Sequence, residues 1–246
     1  MRLDEFWQSR RNRLAKRAGV VAEAVLEKAE VAVSTEVRQR NPARTKAEIL
    51  KAARDEFCEN GLNGARVDAI AERAKANKRL LYHYFGNKEA LYTAVLVDAY
   101  QEIRGGEREL KLSLYDPVEA MERLVRFTFR HFLANPWFPR LLAVENLQNA
   151  RFLKRITDIP SINSPLVEEL VDILQRGRNE GLFRTDVDPV QLYVSIAGLS
   201  YFYVSNSKTL SVIFNRDFEG ITMIQDREAH AVQVILSYLK TTRRED

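Results

Sequence analysis

Apolar residues recur at intervals of three and four along most of the 246-residue chain. This spacing places apolar side chains on one face of a helix, which completes a turn in about 3.6 residues. The sequence has no sustained alternation of apolar and polar residues bounded by hairpin turns, so strands are not expected. The pattern predicts an all-α protein.

Three segments are predicted. Residues 1–41 carry apolar positions among many charges and predict a helical extension, which Pro42 ends because the residue before a proline avoids the helical conformation. Residues 42–90 predict a compact module of three short helices. Residues 91–246 predict a larger helical domain.

The module directs its apolar positions toward one small core. Thr45 is the predicted N-cap of the first helix, Glu48 holds the capping-box position, and Asn60-Gly61 ends the helix. Three short helices around one core are typical of a helix-turn-helix. The predicted inward residues are Ile49, Leu50, Ala53, Phe57, Val67, Ile70, Ala71, Ala74, Leu81, Tyr84 and Phe85.

Capping residues, glycines and prolines mark the helices of the third segment. The stretch 157–164 is polar, contains a proline and is predicted to be a loop. The predicted helices run from Asn87 to about Arg104, before Gly105-Gly106; from Asp116-Pro117 to Ala134; from Pro139 toward Leu153; from Ser164-Pro165 to Glu180-Gly181; from Asp188-Pro189 to about Tyr203; and from Asp226 to about Lys240.

Composition narrows the class of protein. With 46% hydrophobic and 29% charged residues, the chain has the balance of a soluble globular protein. It has no run of the ~18 apolar residues that a membrane span needs, and its basic start lacks the apolar stretch of a secretory signal. Cys58 is the single cysteine, which excludes an internal disulfide framework or zinc cluster. These observations predict a cytoplasmic protein.

Charge is distributed unevenly. The net charge is +4, with +5 in residues 1–46, 0 in residues 47–104 and −1 in the remainder. A polyanionic partner at the N-terminal end is one explanation, and improved solubility is the other.

The third helix of the module carries the candidate DNA-reading side chains. In a helix-turn-helix the start of this helix enters the major groove. Arginine or lysine can pair with guanine, leucine can contact a thymine methyl, and tyrosine or histidine can donate to phosphates. A module used only for packing or protein contact is the alternative. The predicted outward residues are Lys78, Arg79, Leu80, Tyr82 and His83.

Three strings in this region are those of a known family. They read T-K-A-E-I-L-K-A-A-R-D-E-F, V-D-A-I-A-E-R-A and L-L-Y-H-Y-F-G-N-K-E-A-L. Roughly residues 44–100 thereby resemble the TetR/AcrR family closely. The resemblance implies a dimeric repressor that binds operator DNA and is released by a small ligand in its C-terminal domain. It places phosphate contacts at Thr45, Tyr82, His83 and Lys88.

The module departs from the family pattern at three places. The turn reads Ala74-Lys75-Ala76-Asn77 without the usual glycine, so Lys75 is expected to adopt a positive φ at a cost of about 1 kcal/mol. Arg66 replaces a common threonine, and Arg79-Leu80 replace a common Gly-Thr. The base-reading surface is therefore bulkier and more basic than usual, and the operator sequence does not follow from relatives.

Three interpretations of the N-terminal extension remain open. Arg38, Arg40 and Arg44 can form an arm that follows the minor groove. Alternatively, the face of Phe6 and Trp7 packs on the ligand domain or a partner subunit, or the segment is loosely ordered.

Polar residues among the many aromatic side chains of residues 110–206 are the candidate effector contacts. A buried polar group needs a partner, which a ligand can supply. An intramolecular hydrogen bond or an exposed position is the alternative for each. A mostly apolar, aromatic or acyl effector is expected. The candidates are His131, Trp137, Glu145, Asn146, Tyr201 and Asn206.

The two C-terminal helices offer a surface for a homodimer. The last helix carries one apolar stripe of Ala231, Val234, Ile235 and Tyr238, and Gly198 on the preceding helix permits close approach. Burial of the stripe within one chain is the alternative.

Catalytic motifs are absent from the sequence. The three histidines lie far apart, and no HExxH, Walker, GxGxxG or GxSxG pattern occurs. We therefore expect no enzyme activity, no cofactor and no metal. Two alternatives remain. One is a DNA-binding protein that needs no ligand or responds to a protein partner, and the more distant one is an enzyme whose catalytic residues come together only on folding.

Overall fold

The computed structural model describes residues 42–240, and the prediction of a helical extension over residues 1–41 falls outside them. The chain divides into two compact units after Ala47, and the second holds all the predicted site residues except Arg44 and Thr45. The helices confirm the all-α prediction. They are α1 Pro42–Gly64, α2 Val67–Arg73, α3 Lys78–Phe85, α4 Lys88–Glu109, α5 Pro117–Ala134, α6 Trp137–Leu147, α7 Ile159–Asn179, α8 Pro189–Phe214 and α9 Ile221–Leu239, with 3-10 turns at Leu112–Leu114 and Leu153–Arg155.

Side-chain caps set several helix starts where the sequence predicts them. Asn87 Oδ1 accepts from Ala90 N at the start of α4. At the start of α5, the Asp116 side chain accepts hydrogen bonds from two backbone N–H groups. At the start of α8, the Asp188 side chain accepts one. Such caps satisfy amide groups that have no partner inside the helix.

The start of α1 differs from the prediction. The helix begins at Pro42, so Thr45 is not its N-cap. Proline suits the first turn of a helix because N–H groups there have no acceptor within the helix, so the lack of an N–H loses no hydrogen bond. The predicted stop at Gly61 is a kink, with φ 64° and ψ 175°, after which the helix continues to Gly64.

The predicted break at Gly105-Gly106 is wrong, because α4 continues to Glu109. A Cβ atom on Gly106 would lie 2.5 Å from Cζ of Phe127. The glycine therefore permits close packing of α4 against α5 and does not end the helix.

Two further helix boundaries are corrected. Helix α6 ends at Leu147, short of Leu153, because Asn149 and Ala150 adopt positive φ values of 55° and 54°. Helix α7 includes most of the predicted loop, since Pro160 lies in its first turn and Pro165 is accommodated inside it.

The last two helices are longer than predicted. Helix α8 continues past Tyr203 to Phe214, and α9 begins at Ile221, before Asp226. The predicted end of α7 is confirmed, with Gly181 at φ 68° just after it.

Two hydrophobic cores hold the second unit. The first joins Ile49 and Phe57 of α1 to residues of α2 to α6 and ends at Phe152. Within it, Tyr92 makes edge-to-face contacts with both Phe57 and Phe152, each at 5.1 Å between centroids. The second lies among α5, α7, α8 and α9. The helix-turn-helix thus shares a continuous core with α4 to α6.

Candidate DNA interface and effector region

The turn between α2 and α3 confirms an expectation about backbone strain. Lys75 adopts φ 49°. In this left-handed region a non-glycine residue has a conformational free energy about 1 kcal/mol higher than in its preferred regions. Asn77 then caps α3, its Oδ1 accepting from Leu80 N at 2.7 Å. A strained residue and a cap therefore define where α3 begins.

Helix α3 buries one face and exposes the other. Leu81 and Phe85 are buried in the first core. Arg79, Tyr82 and His83 are exposed, which confirms their outward position. An arginine, a phenol and an imidazole are thus presented to solvent from a two-turn helix.

Leu80 and Lys78 are also predicted to face outward on α3, but their surroundings differ from those of Arg79, Tyr82 and His83. Leu80 is half-buried. Lys78 Nζ pairs with Asp68 Oδ1 of α2 at 3.0 Å, and this hydrogen-bonded pair raises the pKa of Lys78. Because both groups are exposed, the pair mainly orients Lys78 toward α2.

Lys88 lies at the start of α4 and reaches the end of α1. Its Nζ donates to Asn63 O at 3.3 Å and to Ala65 O at 3.1 Å. A cation is favourable there, since the last carbonyls of a helix carry partial negative charge. Two of its three N–H groups are used in this way, and one remains for an anion.

Arg66 is the exposed N-cap of α2 and makes no side-chain cap. Its backbone N–H donates to Oε1 of Glu56, a carboxylate that is 3% exposed and also pairs with Arg73. Glu56 thus supports the start of α2 from α1. Sequence reasoning missed it, although the absence of a capping side chain at position 66 was the available signal.

Thr45 and Arg44 belong to the first unit. Thr45 is 3% exposed and Arg44 is exposed. Their phosphate and groove contacts stay predictions.

Five of the six predicted effector contacts have an intramolecular hydrogen-bond partner, including His131, whose Nδ1 lies 3.4 Å from Asn135 Nδ2. Asn146 is exposed and donates to Leu142 O, and Asn206 donates to Phe202 O, each within its own helix. These two bonds favour the alternative of an internal hydrogen bond.

Trp137 also has intramolecular partners. Its Nε1 donates to Asn135 Oδ1, and the Arg54 guanidinium lies 3.9 Å from its ring centroid. Its carbonyl accepts from the Cys58 thiol at 3.3 Å, and burial raises the pKa of that thiol to about 11. Trp137 therefore joins α1 to α6.

Glu145 is buried and holds the segment after α6. Its Oε1 accepts from Phe152 N at 2.8 Å and from Leu153 N at 2.9 Å. Burial, followed by the Glu145 charge, raises the pKa of the Tyr92 hydroxyl. Oε1 of Glu145 is thus satisfied by its own chain, whereas Oε2 is buried without a hydrogen-bond partner in the described part of the chain.

His131 is buried among aromatic rings, including Phe127 at 5.7 Å and Phe138 at 5.6 Å between centroids. Burial and then the positive charge of Arg104 lower its pKa to about 4. The imidazole is therefore neutral at physiological pH.

A second group of buried charges lies close enough to His131 for Arg104 to lower its pKa. Arg104 and Glu107 of α4 are 3% and 2% exposed, and their Nη1 and Oε2 atoms are 2.5 Å apart. Arg104 Nη2 donates to the Tyr193 hydroxyl of α8 at 2.6 Å. Burial raises the pKa of Glu107 to about 7 although Arg104 opposes the shift. Arg104, Glu107, His131 and Tyr193 are called the buried polar cluster below.

Sequence reasoning missed three members of this cluster. The signal was present, because Glu107 continues the four-residue spacing of the buried positions Ala99 and Ile103. The expected helix end at Gly105 concealed it.

Two cavities border the candidate effector contacts. A cavity of about 560 Å³ lies between the end of α5, α6, α8 and the start of α9, and Tyr201 lines it. A groove of about 750 Å³ runs along α5 and includes Phe127 and His131. Both volumes fall in the range of small-molecule sites.

The predicted dimer surface is partly corrected. Ala231 and Ile235 are buried in the second core of their own chain. Val234 and Tyr238 are exposed on α9, and Gly198 of α8 has no atom within 4 Å of an added Cβ. Further exposed apolar residues of α8 are Val190, Val194 and Phe202.

Residues 42–240 contain no group of three or more His, Cys, Asp or Glu side chains placed to hold a metal ion. Within the same residues, no helix has the length and hydropathy needed to cross a membrane.

Two family models match the chain. The model of bacterial regulatory proteins of the tetR family matches residues 49–95. The model of the tetracyclin repressor-like C-terminal domain matches residues 117–235. The matches therefore cover both the helix-turn-helix and most of the helical region after it.

Solved structures share the fold. The transcriptional regulator SCO4942 of Streptomyces coelicolor matches with a TM-score of 0.59 and 24% identity, over 79% of this chain and 98% of that one. The ketosteroid transcriptional regulator KstR2 of Mycobacterium tuberculosis matches with a TM-score of 0.57 and 23% identity, over 80% and 95%.

Curated relatives are closer in sequence, and they are regulators rather than enzymes. The HTH-type transcriptional repressor SCO4008 of Streptomyces coelicolor is 37% identical over 44% of this chain and 53% of its own length. The HTH-type transcriptional repressor NicS of Pseudomonas putida is 38% identical over 72% of this chain and 84% of its own length. With this similarity and the two family models, the chain belongs to the TetR family of bacterial transcriptional regulators.

Proposed function

We propose that this regulator is a repressor that binds operator DNA as a homodimer and leaves it when a small effector binds. The main support for DNA binding is that α3 is amphipathic. It buries Leu81 and Phe85 and exposes Arg79, Tyr82 and His83. The relatives NicS and SCO4008 are repressors, which supports repression as the role of this protein. Such a protein acts in the cytoplasm, where operator DNA is found.

The exposed residues of the module supply complementary DNA contacts. The Arg79 guanidinium suits the O6 and N7 acceptors of guanine, and the half-buried Leu80 suits a thymine methyl. Tyr82, His83 and the third N–H of Lys88 suit phosphate oxygens, which set the position of the protein on the duplex. Arg66 adds charge beside the groove.

A homodimer follows from the exposed apolar positions of α8 and α9. Val194 and Phe202 are 56% and 58% exposed, which is unfavourable for large apolar side chains in water. A symmetric partner would cover the same surface on both chains, and the open space over Gly198 permits a close approach. Two modules could then read the two halves of a palindromic operator.

Control by an effector is supported by the cavities of about 560 and 750 Å³ and by polar atoms buried without partners. A void-free bundle with every polar group satisfied would favour regulation without a ligand. Aromatic and charged residues both line these cavities, which suits an apolar compound that also carries a polar or charged group.

The test is binding of the purified protein to DNA flanking its own gene. Fluorescence anisotropy at several salt concentrations should show tighter binding to one segment of this DNA than to a scrambled duplex of equal length. Arg79→Ala should reduce that preference by about 1–3 kcal/mol, the worth of one base contact, whereas Arg108→Ala, at an exposed position of α4, should retain it. Equal binding of wild type to both duplexes contradicts the proposal.

A further inference from the structure

The buried polar cluster brings charged and polar groups from three helices into the interior. Arg104 and Glu107 come from α4, His131 from α5 and Tyr193 from α8. Burying a charge is costly unless its hydrogen-bonding atoms are satisfied. A helical bundle that needed only to pack would be more stable with apolar residues at these positions.

The cluster is incompletely satisfied. Arg104 Nε, Glu107 Oε1 and His131 Nε2 are buried and have no hydrogen-bond partner in the described part of the chain. Native proteins contain few such atoms, and their usual partner is a bound water, ion or ligand. Two of the three are nitrogens, which suit an acceptor group.

The charge balance favours an anion. The Arg104 guanidinium carries a positive charge and His131 is neutral. Burial raises the pKa of Glu107 to about 7, with Arg104 and Arg108 opposing the shift and Glu169 adding to it, so this carboxyl only partly neutralises the guanidinium. Asn135 Nδ2 lies 3.4 Å from Nδ1 of His131. If Nδ1 accepts from this amide, the imidazole proton resides on Nε2, which then becomes a donor.

The groove at His131 has both aromatic and charged walls. The Phe127 and His131 rings line the groove of about 750 Å³ along α5. Phe138 contacts both His131, at 5.6 Å, and Tyr100, at 6.0 Å between centroids. Charged side chains of α5, among them Arg126 and Arg130, line the rest of the groove, so an apolar body would contact rings only at the end that holds Phe127 and His131.

We propose that Arg104 binds the carboxylate of the effector, an aromatic or short-chain carboxylic acid, and that this carboxylate replaces Glu107 on the guanidinium. The inference rests on the proposed function only in calling the compound an effector. The planar guanidinium binds a carboxylate through two parallel hydrogen bonds. The Tyr193 hydroxyl and His131 Nε2 are the further donors, and the rings of Phe127 and Phe138 contact the apolar body.

Binding is tested with matched acids and amides. Benzoate and octanoate are compared with benzamide and octanamide by calorimetry and thermal shift on the full-length protein. We expect at least one acid to bind wild type about tenfold or more tighter than its amide, since a charge-assisted bidentate pair is lost in the amide.

Variants locate the site. Arg104→Gln should bring acid and amide within about twofold of each other, and Arg104→Lys should retain part of the difference because it keeps the charge without the fork. Glu107→Gln removes the competing anion at nearly constant shape, so it should tighten binding of the acid. Arg216→Gln removes an exposed charge just after α8 and should change nothing. If Arg104→Gln fails to fold, the opposite effects of Glu107→Gln and Arg104→Lys remain decisive.

The inference is overturned if no acid binds wild type at millimolar concentration, if amides bind as tightly, or if Glu107→Gln weakens the acid. Release of the protein from operator DNA is measured separately. Acids that bind through Arg104 without releasing DNA leave the site standing and contradict effector control. An uncharged compound that releases wild type and Arg104→Gln alike supports effector control and overturns the carboxylate site.

Discussion

Arg79 and Lys88 both carry a positive charge near the start of a helix, yet their surroundings differ. Arg79 is exposed on α3, whereas Lys88 Nζ donates to two carbonyls at the end of α1. An exposed guanidinium can pair with a base edge, and an ammonium held by backbone carbonyls has a fixed position. The two residues should therefore contribute to DNA binding in different ways.

Arg79→Ala should relax base preference at one operator position by about 1–3 kcal/mol, because a bidentate contact to guanine is lost. The measurement is binding to operator duplexes that each carry one base substitution. Arg108→Ala is the exposed control. An unchanged preference at every position contradicts the assignment of Arg79 to base reading.

Lys88→Ala should weaken binding to all duplexes alike and lower the salt slope by about 1. The free energy of unfolding should also fall by about 1 kcal/mol, because Asn63 O and Ala65 O lose a donor. Titrations at several salt concentrations and denaturant unfolding separate the two effects. Loss of stability with an unchanged slope would restrict Lys88 to its structural role.

His131 should make the fold sensitive to acid. Its pKa is lowered to about 4 by burial and by Arg104, below the ordinary value of 6.5. The stability it contributes is therefore present above pH 6.5 and is lost as the pH falls toward 4, by at most about 3 kcal/mol. Glu107 acts in the opposite sense, because its raised pKa favours the fold below pH 4.5 and this gain is lost as the pH rises through 7.

Comparison of variants isolates the histidine. His131→Gln should lose less stability than wild type between pH 6.5 and 4 in chemical unfolding, whereas His230→Gln, at an exposed position of α9, should follow wild type. Parallel curves for His131→Gln and wild type would show that the imidazole does not titrate with a lowered pKa.

Helix glycines have different functions at the scale of an element. Gly177 of α7 is buried, and a Cβ atom there would lie 2.6 Å from Cγ of Phe183, a ring in the second core. Gly105 of α4 has only the end of the Arg108 side chain nearby, at 3.9 Å. Alanine would therefore collide with the core at one position and fit at the other.

Gly177→Ala should lower the free energy of unfolding by roughly 2 kcal/mol, against the gain of up to about 1 kcal/mol that helix propensity alone predicts. Gly105→Ala is the matched control and should raise it by about 0.5–1 kcal/mol. Thermal and denaturant unfolding measure both. A stabilised Gly177→Ala variant would show that the α7 contact with Phe183 is loose.

Whole-molecule behaviour depends on the uncovered apolar surface of α8 and α9. Val194→Glu would place an unpaired charge in the proposed interface and should weaken dimerisation about a hundredfold or more. Leu147→Glu, at an 82% exposed position of α6, is the control and should leave the dimer intact. Sedimentation equilibrium measures both, and an unchanged dimer in Val194→Glu would exclude this face.

Features set by neighbouring residues could be predicted from the sequence. The caps at Asn87, Asp116 and Asp188, the positive φ of Lys75 and the two faces of α3 each depend on a few consecutive residues. Backbone sterics and helix periodicity act at this short range, so the all-α fold and the helix-turn-helix followed directly.

Only the tertiary structure decided which polar and apolar groups meet. Arg104 and Tyr193 are 89 residues apart in sequence, and no local pattern predicts their hydrogen bond. Gly106 lies inside α4, where Phe127 of α5 packs closely against it. Ile235 is buried by its own chain and not by a partner subunit. Burial, pKa shifts and cavities depend on which distant segments pack together, and helix periodicity specifies a face without specifying what covers it.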